Sequence, residues 1–228
     1  MKVAILFSGG KDSVFSTYWA HHQSWDIKCL LTIKSKNQHS YMFHTPNIDR
    51  VKLQAEALDL PLIEQETEGK KEEELNDLKI LIQKAKDEYN IYGVVVGAIA
   101  SEYQRIRINQ VCMDLNIKVL APIWHRNEIN YMNDLIKSNF DIKLISISAY
   151  PLNEKYLMKK INKEFLNELI KLNEKYGLNI CGEGGEYESF VIDCPIYKKK
   201  IKIIDYQIEQ DTENSAKIVI NELKLINK

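Results

Sequence analysis

Cysteine is scarce in this chain. Four occur in 228 residues, Cys29, Cys112, Cys181 and Cys194, with no Cys-x-x-Cys pair and no Cys/His cluster at zinc-ligand spacing. That excludes a disulfide framework and leaves four buried or half-buried thiols of a reducing compartment. No apolar run approaches the ~20 residues a membrane helix needs. The apolar stretch Val3–Phe7 is too short to be the apolar core of a signal peptide. A cytoplasmic protein without a membrane partner is expected. An excess of either charge is also missing: the formal net charge of −1 argues against a nucleic-acid partner held by bulk attraction. The Lys198-Lys199-Lys200 run reads as a solvated turn rather than a nucleic-acid patch. There is no internal repeat.

What remains is an ordinary soluble composition, 45% apolar and 28% charged. The length suits one large domain, or one domain with a smaller companion. Val3 to Phe7 is a continuous apolar run that suits a buried parallel strand. Val14, Tyr18 and His22, with Phe15 and Trp19 beside them, mark one helix face. Strands are then expected at 27–33, 62–63, 93–97 and 118–120. Between them lie helices carrying Ile48, Val51, Ala55 and Leu58, then Leu75, Leu78, Ile82 and Ala85, then Ile108, Val111, Cys112 and Leu115. Asn47 and Ser101 are the expected caps of the first and last of these helices. Strands alternating with helices imply a parallel sheet with crossovers, so residues 1–124 read as a Rossmann-like α/β layer. From 125 to 228 the pattern loosens. Helices are expected at 127–137 and around Phe165–Ile170, a strand at 143–150, and antiparallel strands at 200–207 and 216–225. That is a smaller α+β domain.

Ser8-Gly9-Gly10-Lys11-Asp12-Ser13 falls where the first strand ends and the first helix begins. Backbone N–H groups at a helix N-terminus attract anions, and glycine lets the backbone come close to phosphate oxygens. Lys11 adds a point charge and the two serines add donors, making an anion nest. The spacing is neither G-x-x-x-x-G-K-[ST] nor G-x-G-x-x-G. Asp12 can equally serve the helix dipole.

Two further stretches stand out. Cys181-Gly182-Glu183-Gly184-Gly185-Glu186-Tyr187-Glu188-Ser189 packs three glycines and three carboxylates into a turn before the apolar strand Phe190-Val191-Ile192. A turn of that kind between a helix and a strand is a place for function, although taken alone it is more often a solvated loop. Ala100-Ser101-Glu102-Tyr103-Gln104-Arg105-Ile106-Arg107 opens the helix after the fourth strand, at the end of the sheet where ligands bind. Arg105 can grip a phosphate or carboxylate bidentately, or pair with Glu102 on the helix surface.

The Ser8–Ser13 loop resembles the PP-loop of the N-type ATP pyrophosphatase superfamily. The three motifs in this order, with Tyr41-Met42-Phe43-His44-Thr45-Pro46 after the second strand, resemble the diphthine–ammonia ligase family over essentially the whole chain. The loop motif specifies the superfamily, and the Gly/Glu-rich motif is the more specific of the two. The likeness is to a minimal form without the extra C-terminal domains of longer eukaryotic relatives.

The resemblance implies ATP and Mg2+ as cofactors. It implies elongation factor 2 carrying diphthine and free ammonium as partners, and amide formation through an acyl-adenylate with release of AMP and pyrophosphate. Ser8, Gly9, Gly10, Lys11 and Ser13 are expected at the phosphates, with Asp12 near Mg2+. Leu31, Thr32 and Ile33 are expected to flank adenine through their backbone, and His44 is a weaker candidate at the nucleotide. Glu183, Glu186 and Glu188, with Gly184 and Gly185 shaping the turn, suit a cationic substrate; any one of them can receive the ammonium proton, and Lys11, Asp12 and Glu186 are the expected catalytic residues. Tyr103 and Tyr187 can face a quaternary ammonium, and Arg105 an anionic group. No glutaminase signature accompanies them, so ammonia comes from solution. A homodimer is left open. Two other readings compete: a PP-loop enzyme that adenylates a tRNA base, and an ATP-sensing module without turnover. The missing Cys-x-x-Cys and the neutral charge weigh against the first. The acidic turn weighs against the second.

Overall fold

The computed structural model describes residues 1–37, 47–70 and 73–228. The first half builds a five-stranded parallel sheet from β1 (Lys2–Leu6), β2 (Asp26–Ser35), β3 (Leu62–Thr67), β4 (Gly93–Val95) and β5 (Lys118–Leu120), in the order β3-β2-β1-β4-β5. The crossovers are α1 (Lys11–His22), α2 (Val51–Leu58, preceded by a 3-10 turn at Ile48–Arg50), α3 (Glu73–Tyr89) and α4 (Glu102–Asp114).

Alternation along the strands decides which helix covers which face. Val3 and Ile5 of β1 pack with Val14 and Phe15 of α1 and with Val51 and Ala55 of α2. Ala4 points the other way and packs with Leu78, Leu81 and Ile82 of α3 and Ile108 and Val111 of α4. Helices on both faces of a parallel sheet make this a Rossmann-like α/β fold. β3 runs longer than the expected Leu62-Ile63, while β4 stops at Val95, short of the expected Gly97.

The second half adds α5 (Glu128–Lys137), β6 (Asp141–Ile147), α6 (Lys163–Tyr176), β7 (Tyr187–Asp193), β8 (Lys199–Thr212) and β9 (Ser215–Asn227). The strands form an antiparallel sheet ordered β7-β6-β9-β8. Three helices of the chain, α4, α5 and α6, start on side-chain caps, of which Ser101 is the one expected from the sequence. Ser101 accepts the Gln104 N–H, Asn127 that of Asn130 and Asn162 that of Phe165, while Gly177 closes α6 in a left-handed conformation. Asn47 departs from expectation: it makes no side-chain cap. Its amide instead donates to the Ile218 carbonyl at 2.7 Å and accepts the Ile220 N–H at 2.8 Å, tying the start of α2 to β9.

The larger apolar core does not stop between the two sheets. It runs from Ile5, Phe7 and Phe15 through Tyr131, Met132 and Leu135 of α5 into Ile142, Leu144 and Val191. β7 is thereby pressed against the N-terminal end of α1, which places the acidic turn before β7 beside the glycine loop before α1.

Candidate active site

The loop between β1 and α1 is closed by one hydroxyl. Ser13 Oγ accepts the N–H of Gly9 at 3.1 Å and that of Ser8 at 3.3 Å, and donates to the Gly10 carbonyl at 3.1 Å. Gly9 has φ +77°, and a Cβ there would overlap the Gln54 amide. Gln54 Nε2 donates to the carbonyls of Gly9 at 2.8 Å and Val191 at 3.0 Å, clamping the loop to β7 from behind. Gly97, just past β4, has no Cβ for a different reason. A Cβ would lie 2.9 Å from the Asp12 carbonyl carbon and the Ser13 nitrogen, so glycine lets the strand exit rest against the first turn of α1.

Position N-cap of α1 is Gly10, which has no side chain to cap with. The first helical N–H, that of Lys11, donates instead to Ser189 Oγ of β7 at 3.1 Å. The Lys11 side chain is buried at 3% exposure, with Nζ 2.9 Å from Asp12 Oδ2 and 5.6 Å from the centre of the Tyr187 ring. Burial works against the Lys11 charge, but the neighbouring Asp12 carboxylate outweighs it and holds the ammonium above its ordinary range. Asp12 Oδ1 accepts the O–H of the fully buried Tyr131 at 2.8 Å. Burial, then the Asp12 charge, keep that phenol protonated well above its usual range.

A cleft of about 510 Å³ opens above this loop, at the C-terminal ends of β1, β2 and β4. Here the strand order turns back on itself, which is where doubly wound sheets bind ligands. Its polar lining includes Ser8, Gly10, Lys11, Asp12, Ser13, Glu183, Glu188 and Ser189. Its apolar lining includes Leu6, Leu31, Ile33, Ile48 and Ile108. An anion nest together with apolar lining suits a nucleotide's phosphates and base.

The three carboxylates of the acidic turn have separate fates. Glu186 folds back as a strut, its oxygens accepting the N–H of Gly184 at 2.9 Å and of Asn179 at 3.3 Å. Glu183 lines the cleft and accepts the Ala100 N–H at 3.1 Å, joining the turn to the segment that follows β4. Burial, then the nearby Asp12 charge, raise the Glu183 pKa. Glu188 also lines the cleft, and no hydrogen bond to its carboxylate is present among the described residues. Burial pushes its pKa from 4.5 up to about 7; Lys11 opposes this, while Asp12 and Glu183 add to it. Gly184, Gly185 and Tyr187 line the same wall, and the Tyr187 hydroxyl donates to the Ile180 carbonyl at 2.6 Å. The turn is anchored from α5, where Glu128 accepts from the Asn179 amide at 2.9 Å and the Ile180 N–H at 3.2 Å.

The cleft therefore gathers Ser8, Gly10, Lys11, Asp12, Ser13, Leu31, Ile33, Glu183, Gly184, Gly185, Tyr187 and Glu188 of the residues expected from the sequence. It does not gather the others. Glu186 is spent on the turn's own backbone. Tyr103 turns its ring to the Arg107 guanidinium, 3.6 Å away, rather than to the cleft. Arg105 is held by Glu102 at 2.6 Å and lies over Trp124, so the surface pair prevails over the anion clamp. Thr32, expected to act through its backbone, is not among the residues lining the cleft, and its hydroxyl donates to the Phe7 carbonyl at 2.7 Å. Gly9 lies behind the loop, against Gln54. His44 and the segment 41–46 lie outside the described residues. Sequence reasoning missed Tyr131, Gln54 and the contact of Ser189 with Lys11, whose partners are remote in the chain. It also missed Gly97, whose only signal is a glycine ending an apolar run.

All four cysteines are buried and free, and burial pushes each thiol up to about 12, which leaves them inert as nucleophiles. Among the described residues no three His, Cys, Asp or Glu side chains group as a metal cage. Asp12 alone presents a carboxylate at the loop itself. That fits Mg2+, which takes most of its oxygens from phosphates and water. Among the described residues no helix is long and apolar enough to cross a membrane.

A glycine–serine nest at the first strand–helix turn of a Rossmann-like sheet, opening on a cleft with polar and apolar lining, defines a protein with the PP-loop nucleotide-binding fold. Models of the diphthamide synthase N-terminal domain and C-terminal domain match residues 1–119 and 127–226. The diphthine–ammonia ligase of Homo sapiens is 38% identical over 224 residues, covering 90% of this chain and 83% of that protein. That of Danio rerio is 39% identical over 223 residues, covering 90% and 87%. That of Schizosaccharomyces pombe is 34% identical over 232 residues, covering 95% of this chain but 38% of that much longer relative. The chain belongs to the diphthamide synthase family, and it is an enzyme, a ligase that forms a carbon–nitrogen bond.

Proposed function

We propose that the chain amidates the diphthine carboxylate of elongation factor 2 with free ammonium and ATP, giving diphthamide, AMP and pyrophosphate. The observation that carries this reading is one cleft lined by both the phosphate loop and two carboxylates of the acidic turn. A carboxylate is a poor acceptor for ammonia and must first gain a leaving group. Its oxygen attacks the α-phosphorus, the bond to the β-phosphate oxygen breaks, and pyrophosphate leaves. Ammonia then attacks the acyl carbon of the adenylate and AMP departs.

Ser8, Gly10, Lys11 and Ser13 hold the phosphate tail through N–H groups, hydroxyls and the Lys11 ammonium, which suits a leaving pyrophosphate. Leu31 and Ile33 form the apolar wall at the base. Mg2+ would be held by Asp12 with the phosphates and would offset their charge. Tyr131 orients the Asp12 carboxylate. Glu188, and not Glu186, receives the ammonium proton: it faces the cleft, and a carboxyl titrating near 7 accepts a proton at neutral pH. Glu183, Glu188 and the Tyr187 ring form the wall for the trimethylammonium group. Residues 1–124 serve as the ATP unit and 125–228 as the substrate unit of a cytoplasmic enzyme.

The test is incubation with MgATP, ammonium and diphthine-bearing elongation factor 2. Multiple-turnover release of AMP and pyrophosphate should require all three, with replacement of one diphthine carboxylate oxygen by nitrogen seen by mass spectrometry. Lys11→Ala should weaken ATP binding by calorimetry ~10–100-fold with the fold intact. ATP left unchanged in the complete mixture would end this reading.

A further inference from the structure

The polar lining of the cleft includes a hydroxyl that the loop itself does not supply. Ser189 stands on β7 at 5% exposure, one residue beyond Glu188, and lines the cleft. Its Oγ accepts the Lys11 N–H at 3.1 Å, so the oxygen is fixed at the mouth of the helix N-terminus. The backbone is fixed there as well: the Val191 N–H donates to the Gly9 carbonyl at 3.3 Å, and Gln54 spans both segments. A hydroxyl that accepts one hydrogen bond still has a hydrogen to give. Among the described residues no hydrogen bond donated by Ser189 is present. Its neighbour in the loop is Gly10, where a Cβ would lie 3.7 Å from Ser189 Oγ.

We propose that Ser189 is a phosphate ligand supplied from β7, outside the loop, its hydroxyl accepting the Lys11 N–H and donating to an oxygen of the ATP pyrophosphate portion. The inference rests on the reading of residues 8–13 as the phosphate site. It adds that the nest is incomplete within the loop and is finished by the strand that carries Glu188. A hydroxyl held by a backbone N–H is more polarised and gives a stronger, pre-aimed bond to an anion. No bond to the protein forms or breaks covalently in this role.

The experiment is calorimetric titration of the full chain, wild type and variants, with MgATP, MgPPi and AMP. Ser189→Ala should weaken ATP and pyrophosphate about tenfold and leave AMP within twofold, because AMP lacks the phosphates concerned. Ser189→Thr, which keeps the hydroxyl, should restore both. Ser189→Cys, which keeps the shape but donates weakly, should behave as Ala and guards against a folding defect in the smaller variant. ATP affinity unchanged in both Ala and Cys variants would overturn the inference, and so would equal weakening of AMP and ATP, which marks a purely structural cap. Lys11→Ala separates the two levels. If it weakens ATP and Ser189→Ala does not, only Ser189 is misassigned; if neither matters, the phosphate site lies elsewhere.

Discussion

Glu188 and Glu186 are two residues apart and carry the same carboxyl, yet their surroundings give them opposite work. Glu186 is paired with backbone N–H groups of its own turn. Glu188 faces the cleft with its pKa pushed up to about 7. Glu188→Gln should lower kcat/KM for ammonium ~10²–10⁴-fold and remove an acidic limb near pH 7 from the rate profile, while ATP binding survives. Glu186→Gln should keep that limb and lose about 1–2 kcal/mol of stability instead. If Glu186→Gln abolished the limb and Glu188→Gln left it, the assignment would be reversed. Stability carries an independent signature. The folded chain holds the Glu188 proton from its ordinary 4.5 up to about 7, where the unfolded chain has released it. The native state binds more protons in that window, so this group's contribution is present below 4.5 and lost as pH rises through 7. The difference in unfolding free energy between wild type and Glu188→Gln should fall across the same interval, measured by urea melts at stepped pH.

At the scale of elements, the site is made by how closely three of them meet: the exit of β4, the first turn of α1 and the start of β7. Gly97 sets the first approach. Gly97→Val places side-chain atoms where the Asp12 and Ser13 backbone now lies. It should cost about 1–3 kcal/mol in unfolding free energy and weaken ATP binding as α1 is pushed off its axis. Full ATP affinity in a Gly97→Val variant of wild-type stability would show that α1 has room to spare. What the sequence made legible belongs to this same scale. The strand–helix alternation, the Ser101 cap and the Ser8–Ser13 loop all follow from neighbours within a few positions, and the structure places them as read. Side-chain direction was less legible. Arg105 and Tyr103 sit in the first turn of α4, where each meets a partner three or four residues away, Glu102 or Arg107. Ser189 and Tyr131 were invisible as partners of the loop because their contacts span 178 and 119 positions, set by packing rather than by local pattern.

For the whole molecule, the two sheets read as two units while the apolar core reads as one. Tyr131 of α5 is fully buried, its ring edge-on to Phe15 of α1 at 5.2 Å and its hydroxyl on Asp12. Ile5, Phe7 and Val51 share a continuous cluster with Ile142, Leu144 and Val191. Cutting the chain near residue 124 would expose that face of α1 and α2 and remove the partners of Gly9, Lys11 and Asp12 together. A fragment of residues 1–124 is therefore expected to lose cooperative unfolding and near-ultraviolet dichroism, to bind a hydrophobic dye, and to show no calorimetric response to ATP. Adding a fragment of residues 125–228 should restore ATP binding if the shared core is what shapes the loop. A 1–124 fragment that melts cooperatively and binds ATP with full affinity would show that the loop is built by the parallel sheet alone. The contacts from Ser189 and Tyr131 would then be dispensable for shaping the loop. Under the proposed function, coupling of this kind has a chemical use: β7 carries both the proposed proton acceptor, Glu188, and Ser189, which meets the Lys11 N–H, so a misplaced β7 is expected to impair both proposed half-reactions at once.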